Sequence, residues 1–362
     1  MVFKRLVNSY RQITKFYLRN NNQIMIVKAV RKLLKIKMNY AISITNPDNH
    51  EIFSGLNAEI HFLRNAEIFY DAGSTSEIPI PQYYKAEFLL RLKNTIIDTE
   101  TGIAFTEPSD PVAILESSNI LAMEVSDYLR PRKPKNIHDG EWTVLSNRSY
   151  GHWLLQDLPR FLRLIDIIEK PKVAISSGSP KHVLDFLHIL NIEPMFVGPV
   201  FRPESYICVS SQYQIGNPSI SDIQTLRKFR DNNAAQYFKD NAIKNSYGKK
   251  VFISRRFSNR PLPNELLLEE MARSRNFEVV YLESMSFADE ILLFMNAEVI
   301  VGATGGGLSN IVWINEKKCR KVVEIYNTNF DHQAASQLAR RINVPYHRVL
   351  YTSALDREDI WD

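Results

Sequence analysis

The sequence predicts an α/β protein built as two Rossmann-like domains facing across a cleft, preceded by a basic helical N-terminal arm. Three observations carry this expectation. Alternating strand and helix patterns run in two separate series, over residues 142–209 and 250–341, and such alternation builds doubly wound sheets. A polar stretch at 241–249 separates the two series. Residues 1–47 hold ten Lys and Arg and no Asp or Glu. The expected division is an arm at 1–40, a first domain at 41–245 and a second at 246–362. A chain of 362 residues, 44% hydrophobic and 23% charged, suits two soluble domains of ordinary size.

In the arm, Phe3, Leu6, Val7, Tyr10, Ile13 and Tyr17 recur at helical steps, and Val27, Val30, Leu33 and Leu34 follow the break at Asn20-Asn21-Asn22. Two amphipathic helices are expected, either packed on the body or laid on an anionic membrane through residues 1–38. Taking the ten positive charges of the arm from the formal +5 leaves the remaining chain at −5. The basic average therefore says little about the body, and no recognition motif accompanies it, so nucleic acid is not an expected partner. The longest apolar run, 291–295, has five residues, too few for a membrane-spanning helix or a signal-peptide core. The expected location is cytoplasmic, peripheral at the inner face of the plasma membrane. Two cysteines, Cys208 and Cys319, exclude a disulfide scaffold and read as buried thiols.

Residues 41–124 show short strand-like runs at 58–62, 88–92, 96–98 and 112–115, separated by turn formers such as Thr101-Gly102. The basic segment 130–135 reads as an exposed loop. The first series then predicts strands at 142–145, 173–176 and 206–209, with helices at 152–168, 181–190 and 222–242. Pro159 is expected to bend or end the first of these helices near its start. The second series predicts strands at 251–254, 278–282, 299–301 and 321–325, with helices at 264–273, 287–296, 307–314 and 331–341.

Three segments carry candidate chemistry. In 297–310 an apolar strand runs into Thr304-Gly305-Gly306-Gly307 and then a helix opening with Leu308-Ser309-Asn310. Glycines let backbone approach a ligand closely, and amides at a helix start attract an anion such as a diphosphate. The third glycine of the dinucleotide fingerprint is absent, because Asn310 stands there. Arg255 and Arg256 end the strand at 251–254, with Arg260 and Asn264-Glu265 following; arginines at a strand end can hold a diphosphate, or can pair with Glu265 on the surface. Gly151 precedes a helix whose start carries His152, a candidate general base for a hydroxyl. Asp157 is the second candidate, although it can equally pair with Arg160 three residues on. The eight histidines show no metal-ligand spacing and no two aspartates are separated by one residue, so no metal is expected.

These segments together resemble glycosyltransferase family 61, the capsular-polysaccharide-biosynthesis type. The resemblance rests on Tyr150-Gly151-His152-Trp153 with Asp157-Leu158-Pro159-Arg160, and on Ile253-Ser254-Arg255-Arg256 with Arg260 and Asn264-Glu265. It continues through Ser286-Phe287, the segments 297–302 and 305–310, and Val323-Glu324, covering about residues 140–330. It implies a GT-B architecture, a nucleotide-sugar donor, and inversion at the anomeric carbon without a catalytic metal or other cofactor. On that basis Arg255, Arg256, Thr304, Gly305, Gly306, Gly307, Ser309 and Asn310 are donor and phosphate candidates, with Arg260 and Glu265 in support. His152 and Asp157 are catalytic candidates, and Glu283 and Glu324, at strand ends, are sugar or ribose candidates. The acceptor implied is a glycan of capsule or O-antigen type, held by the first domain and possible in lipid-linked form. Where the family commonly has His-Gly-Ala-Gly, this chain has Thr304-Gly305-Gly306-Gly307, so a neutral hydroxyl replaces an imidazole. A non-catalytic nucleotide-sugar or glycan binder, and a transferase using another diphosphate-activated donor, are the alternatives.

Overall fold

The computed structural model describes residues 41–42, 59–64, 67–72, 79–84, 87–106, 113–114, 136–146, 149–210, 218–258, 260–326 and 333–351. The basic arm and the loop 130–135 lie outside the described residues. The body is mixed α/β. Its second half holds a five-stranded, all-parallel sheet in the spatial order Glu278–Val280, Lys250–Ile253, Val299–Ala303, Lys321–Tyr326, Tyr346–Leu350. Counted along the chain that order is 2-1-3-4-5, so the winding reverses between Lys250–Ile253 and Val299–Ala303. A crevice opens at such a reversal, beyond the carboxyl ends of the strands. The central strand Val299–Ala303 is buried at every position, as an apolar run covered on both faces should be.

The first half is built on a six-stranded mixed sheet. Met195–Val197, Lys172–Ser176, His138–Val144 and Pro203–Val209 are parallel neighbours, and Glu87–Lys93 and Glu59–Arg64 add antiparallel strands at one side. The expected Rossmann-like winding is thus present only in the parallel part. A second five-stranded sheet joins Ala41–Ile42, Ala113–Ile114, Ile103–Thr106, Thr95–Asp98 and Val200–Phe201, and Glu67–Ala72 pairs with Pro79–Tyr84 as a hairpin. Cys208 and Cys319 are buried free thiols.

Three helices differ from their sequence expectation. Helix 150–167 runs through Pro159 without a break, because residues Trp153–Asp157 form a π turn immediately ahead of Leu158–Ile167. The wider i→i+5 turn absorbs a ring that a regular α-helix would reject, and π turns of this kind favour functional sites. The long helix 220–240 carries a second π segment, Arg230–Ala234. The segment Gly306–Trp313 is a 3₁₀ helix and not an α-helix. Its i,i+3 eclipse stacks Trp313 on Asn310, where the indole N–H donates to Asn310 Oδ1 at 3.1 Å.

One apolar core ties the two halves together. Trp153 and Phe186 from the first half meet Phe287 and Trp313 from the second, with centroids 5.2 Å apart for Trp153–Phe287 and 5.9 Å for Phe287–Trp313. Phe229 of helix 220–240 closes the cluster against Phe186, Phe287 and Trp313. Edge-on and tilted rings of this kind add to plain area burial. The helices of both halves therefore form a shared layer, and the start of helix 150–167 is set against the second sheet.

Candidate active site

A cleft of about 650 Å³ opens where the all-parallel sheet of the second half reverses its winding, a size suited to a small-molecule substrate. Its walls come from both halves. Ser149, Tyr150, Gly151 and His152 face Arg255, Arg260, Glu283, Thr304 and the glycine turn 305–307, with Ser309, Glu290 and Glu324 completing the lining.

Arg255 is placed by its backbone and by its charge. Its N–H donates to Glu265 Oε1 at 2.8 Å, while Leu262 N–H donates to Glu265 Oε2 at 2.8 Å. The buried carboxylate of Glu265 thus clamps both ends of the loop after the strand, which differs from the surface pairing with Arg256 or Arg260 entertained from sequence. Arg255 Nη1 donates to the carbonyl of Thr304 at 2.5 Å, and a Cβ on residue 305 would sit 2.7 Å from that nitrogen. Glycine at 305 is required by this close approach. Burial, then the like charge of Arg260, pushes the Arg255 pKa down, although it stays cationic at neutral pH. The carboxylates of Glu265 and Glu283 act in the opposite direction.

Arg256 does not line the cleft. Its side chain is 3.8 Å from Glu269 Oε2 and lies over the Phe257 ring. The strand ends at Ile253 and Arg256 lies in the turn closed by Ser258 N–H on the Arg255 carbonyl at 2.9 Å, so the two adjacent arginines part.

Two helix starts converge at the cleft floor. A Cβ on Gly306 would lie 3.3 Å from Gly151 N, and one on Gly151 would lie 2.9 Å from Ser309 Oγ. The two glycines thus let the backbones of 151 and 306 come into close contact. Both helices point their N-terminal amides and positive dipole ends at the same volume. His152 lines it beside them, its Nδ1 3.3 Å from Gln156 Oε1.

Asp157 is elsewhere. It is buried, accepts from Ser146 Oγ at 2.6 Å and pairs with Arg160 at 3.5 Å. Arg160 in turn donates from Nε to the carbonyl of Val209 at 2.8 Å. The pair fills the point where the first sheet reverses its winding, between His138–Val144 and Pro203–Val209, leaving room there of only about 30 Å³. Asp157 faces that filled crevice and not the large cleft.

Asn310 is also drawn inward. It is fully buried and bonded to Tyr150, Glu290 and Trp313. Thr304 and Ser309 do line the cleft; the Thr304 hydroxyl is directed to the Ile325 carbonyl at 3.5 Å. Glu283 is exposed at the rim. Glu324 is wholly buried, accepts from Arg348 Nε at 2.6 Å through Oε2, and keeps Oε1 without a hydrogen bond among the described residues.

Sequence reasoning missed Glu290, Tyr150 and His182 as cleft residues. Glu290 had a legible signal, a carboxylate on the apolar face of Phe287–Asn296 between Phe287 and Phe294. Burial raises its pKa to about 7. His182 packs edge-on against Tyr150 and tilted against Trp153, and burial lowers its pKa to about 4, so it is neutral at pH 7. Among the described residues no three metal-ligating side chains come together, and no helix is long and apolar enough to cross a membrane.

The family profile described as Glycosyltransferase 61 matches residues 150–323. The chain carries a glycosyltransferase family 61 domain, and the protein is a glycosyltransferase. No curated protein matches the chain. The family 61 match begins at Tyr150, where helix 150–167 starts, and ends inside Lys321–Tyr326. It takes in most of the cleft lining, stops one residue short of Glu324, and leaves out everything before Tyr150 and the edge strand Tyr346–Leu350. A glycosyltransferase needs a sugar donor and an acceptor.

Proposed function

We propose that the cleft moves a sugar from a nucleotide-sugar donor to a hydroxyl of a growing surface glycan, with inversion and without a catalytic metal. The observation that carries this reading is the meeting of two helix starts at Gly151 and Gly306 beside Arg255. In this reading the halves act as the two domains of a GT-B enzyme, the second holding the donor and the first the acceptor. The donor diphosphate lies against the amides of the turn 305–307 and the guanidinium of Arg255, with Arg260 and Ser309 nearby. The acceptor oxygen attacks the anomeric carbon from the face opposite the diphosphate. The glycosidic C–O bond to phosphate breaks, its electron pair leaves with the diphosphate, and His152 takes the hydroxyl proton. Charge growing on the leaving oxygens meets dipoles and a cation already in place, so little reorganisation is needed. Glu283, at the rim, accepts a hydroxyl of the ribose or the sugar, with the buried Glu324 as the second candidate.

The test is a panel of UDP-, GDP- and CMP-sugars, read as donor hydrolysis and as protection against thermal unfolding. Protection by one nucleotide class together with turnover supports the reading; no nucleotide effect of any kind overturns it. The neutral Thr304 hydroxyl, turned to the carbonyl of Ile325, favours a second reading, a binder that has lost the chemistry. Binding without turnover in the native protein, with turnover restored by Thr304→His, would select that second reading. The membrane side of the proposal, a lipid-linked acceptor at the inner face of the plasma membrane reached through residues 1–38, predicts that deleting those residues lowers co-sedimentation with anionic vesicles.

A further inference from the structure

Three polar side chains meet where helix 150–167, helix Phe287–Asn296 and the 3₁₀ helix Gly306–Trp313 touch, on the floor of the cleft. Tyr150 Oη is 2.5 Å from Glu290 Oε2 and 2.6 Å from Asn310 Oδ1. Asn310 Nδ2 is 2.8 Å from the same Glu290 oxygen, and Trp313 Nε1 is 3.1 Å from Asn310 Oδ1. Each oxygen–oxygen contact this short needs a proton between its atoms. The phenol supplies one proton, and an amide oxygen supplies none. The tryptophan N–H fixes the amide with Oδ1 toward itself, so the phenol proton goes to Asn310. The Tyr150–Glu290 contact then needs a second proton, which only the carboxyl can carry. Turning the amide over does not remove this need. It would set two oxygens, Asn310 Oδ1 and Glu290 Oε2, 2.8 Å apart and would leave the indole N–H facing an NH₂.

We propose that Glu290 serves as a neutral carboxylic acid whose proton closes a ring with Tyr150 and Asn310, and that this ring positions the His152 helix start against the glycine turn 305–307. The ring spans the seam that both cleft walls share. Glu290 donates to Tyr150, Tyr150 donates to Asn310, and the Asn310 amide returns a hydrogen bond to Glu290. The surroundings agree with a neutral acid. Glu290 is 5% exposed, and the charges acting on it are both acidic, Asp185 from Lys181–Ile189 and Glu283 from the turn Leu282–Ser284. Asp185 Oδ2 accepts from Phe287 N–H at 3.0 Å, at the start of the helix that carries Glu290. On that helix Asp289 is engaged with Ser286. His182, edge-on to Tyr150, is neutral, and burial holds the Tyr150 phenol well above its ordinary pKa. Both acidic neighbours, Glu283 and Asp185, favour the carboxyl keeping its proton. When Glu290 ionises, one of the two short contacts is left as oxygen against oxygen and the seam loosens.

As a role in transfer this rests on the proposed function; as a statement about a proton it does not. The test compares the wild type with Glu290→Gln, whose amide N–H permanently replaces the acid proton toward Tyr150 but no longer accepts from Asn310, and Glu290→Ala, which removes the group. Infrared difference spectra between about pH 6 and pH 8 should show a protonated-carboxyl band lost from the wild type and absent from Glu290→Gln. Hydrogen exchange of amides 306–313, corrected for intrinsic pH dependence, should quicken roughly tenfold in Glu290→Ala and in the wild type above the transition, and show no such step with pH in Glu290→Gln. With a working donor, Glu290→Gln should lose the alkaline fall in rate. If Glu290→Ala does not fold, Tyr150→Phe keeps the ring packing, removes the phenol proton and should quicken the same amides. Absence of the band overturns the neutral acid. A step of exchange with pH that survives in Glu290→Gln, or exchange unmoved by Glu290→Ala and by pH, overturns the positioning role. If no nucleotide sugar acts on the wild type, the proposed function fails while the infrared and exchange results still decide this one.

Discussion

Arg255 Nη1 donates to the carbonyl oxygen of Thr304 at 2.5 Å, which lays the guanidinium directly over Gly305. The contact joins the ends of two neighbouring parallel strands, Lys250–Ile253 and Val299–Ala303, across the reversal point of the sheet. It makes glycine at 305 a condition for where the arginine charge sits. Gly305→Ala should displace that charge and weaken nucleoside diphosphate binding by about tenfold or more, as one charge-assisted bond is lost. Titration calorimetry measures the loss, and the unfolding midpoint should move little. Arg255→Ala should produce an equal or larger loss.

His152 and Asp157 should separate cleanly. His152→Ala is expected to lower kcat by about 10²–10⁴-fold with donor affinity retained, the range for removing a general base. Asp157→Asn should instead cost about 1–3 kcal/mol of stability, because Ser146 and Arg160 lose their buried partner. Its turnover per folded molecule should match the wild type. Kinetics on both variants beside a denaturant titration decides this.

Phe287 is fully buried against Trp153, Phe186, Phe229 and Trp313, which come from both halves. Phe287→Ala should destabilise the fold by about 3–5 kcal/mol. Because the core is shared, the two halves should unfold in one transition in the wild type. Probes placed in each half, followed through urea unfolding, would separate if that were wrong.

The raised pKa of Glu290 also sets a pH dependence of stability. The folded protein keeps the proton up to about pH 7, whereas the unfolded chain releases it near 4.5. The contribution is therefore complete below the unfolded value and is lost progressively as pH rises toward 7, by about 3 kcal/mol in all. Above the folded value it changes no further. Glu290→Gln lacks this proton equilibrium, so the wild type should lose stability relative to it between about pH 4.5 and 7. Paired thermal melts across that window measure the difference.

Much of the chain was legible without coordinates because its physics is local. The strand–glycine–helix segment around 299–310 and the strand end at Arg255 are patterns of a few adjacent residues. So are the apolar steps that mark helices such as Phe287–Asn296. The π turn at Trp153–Asp157 was not legible, since Pro159 signals a break unless the preceding turn widens to receive it. Short edge strands such as Tyr346–Leu350 and the hairpin at Glu67–Ala72 were passed over, because pairing partners and not propensity hold them.

The division of labour within the candidate site follows the same rule. By itself the sequence determined the alternating α/β pattern, the glycine turn, the arginine at the strand end and the resemblance to family 61. Each of these needs only residues close together in the chain. Which arginine faces the ligand, why Asp157 and Asn310 are withdrawn from the cleft, and that Glu290 shares a ring with Tyr150 and Asn310 were decided only by the tertiary structure. Those outcomes depend on contacts across up to 160 positions of chain, where burial and proton count, and not residue type, set what a side chain can do.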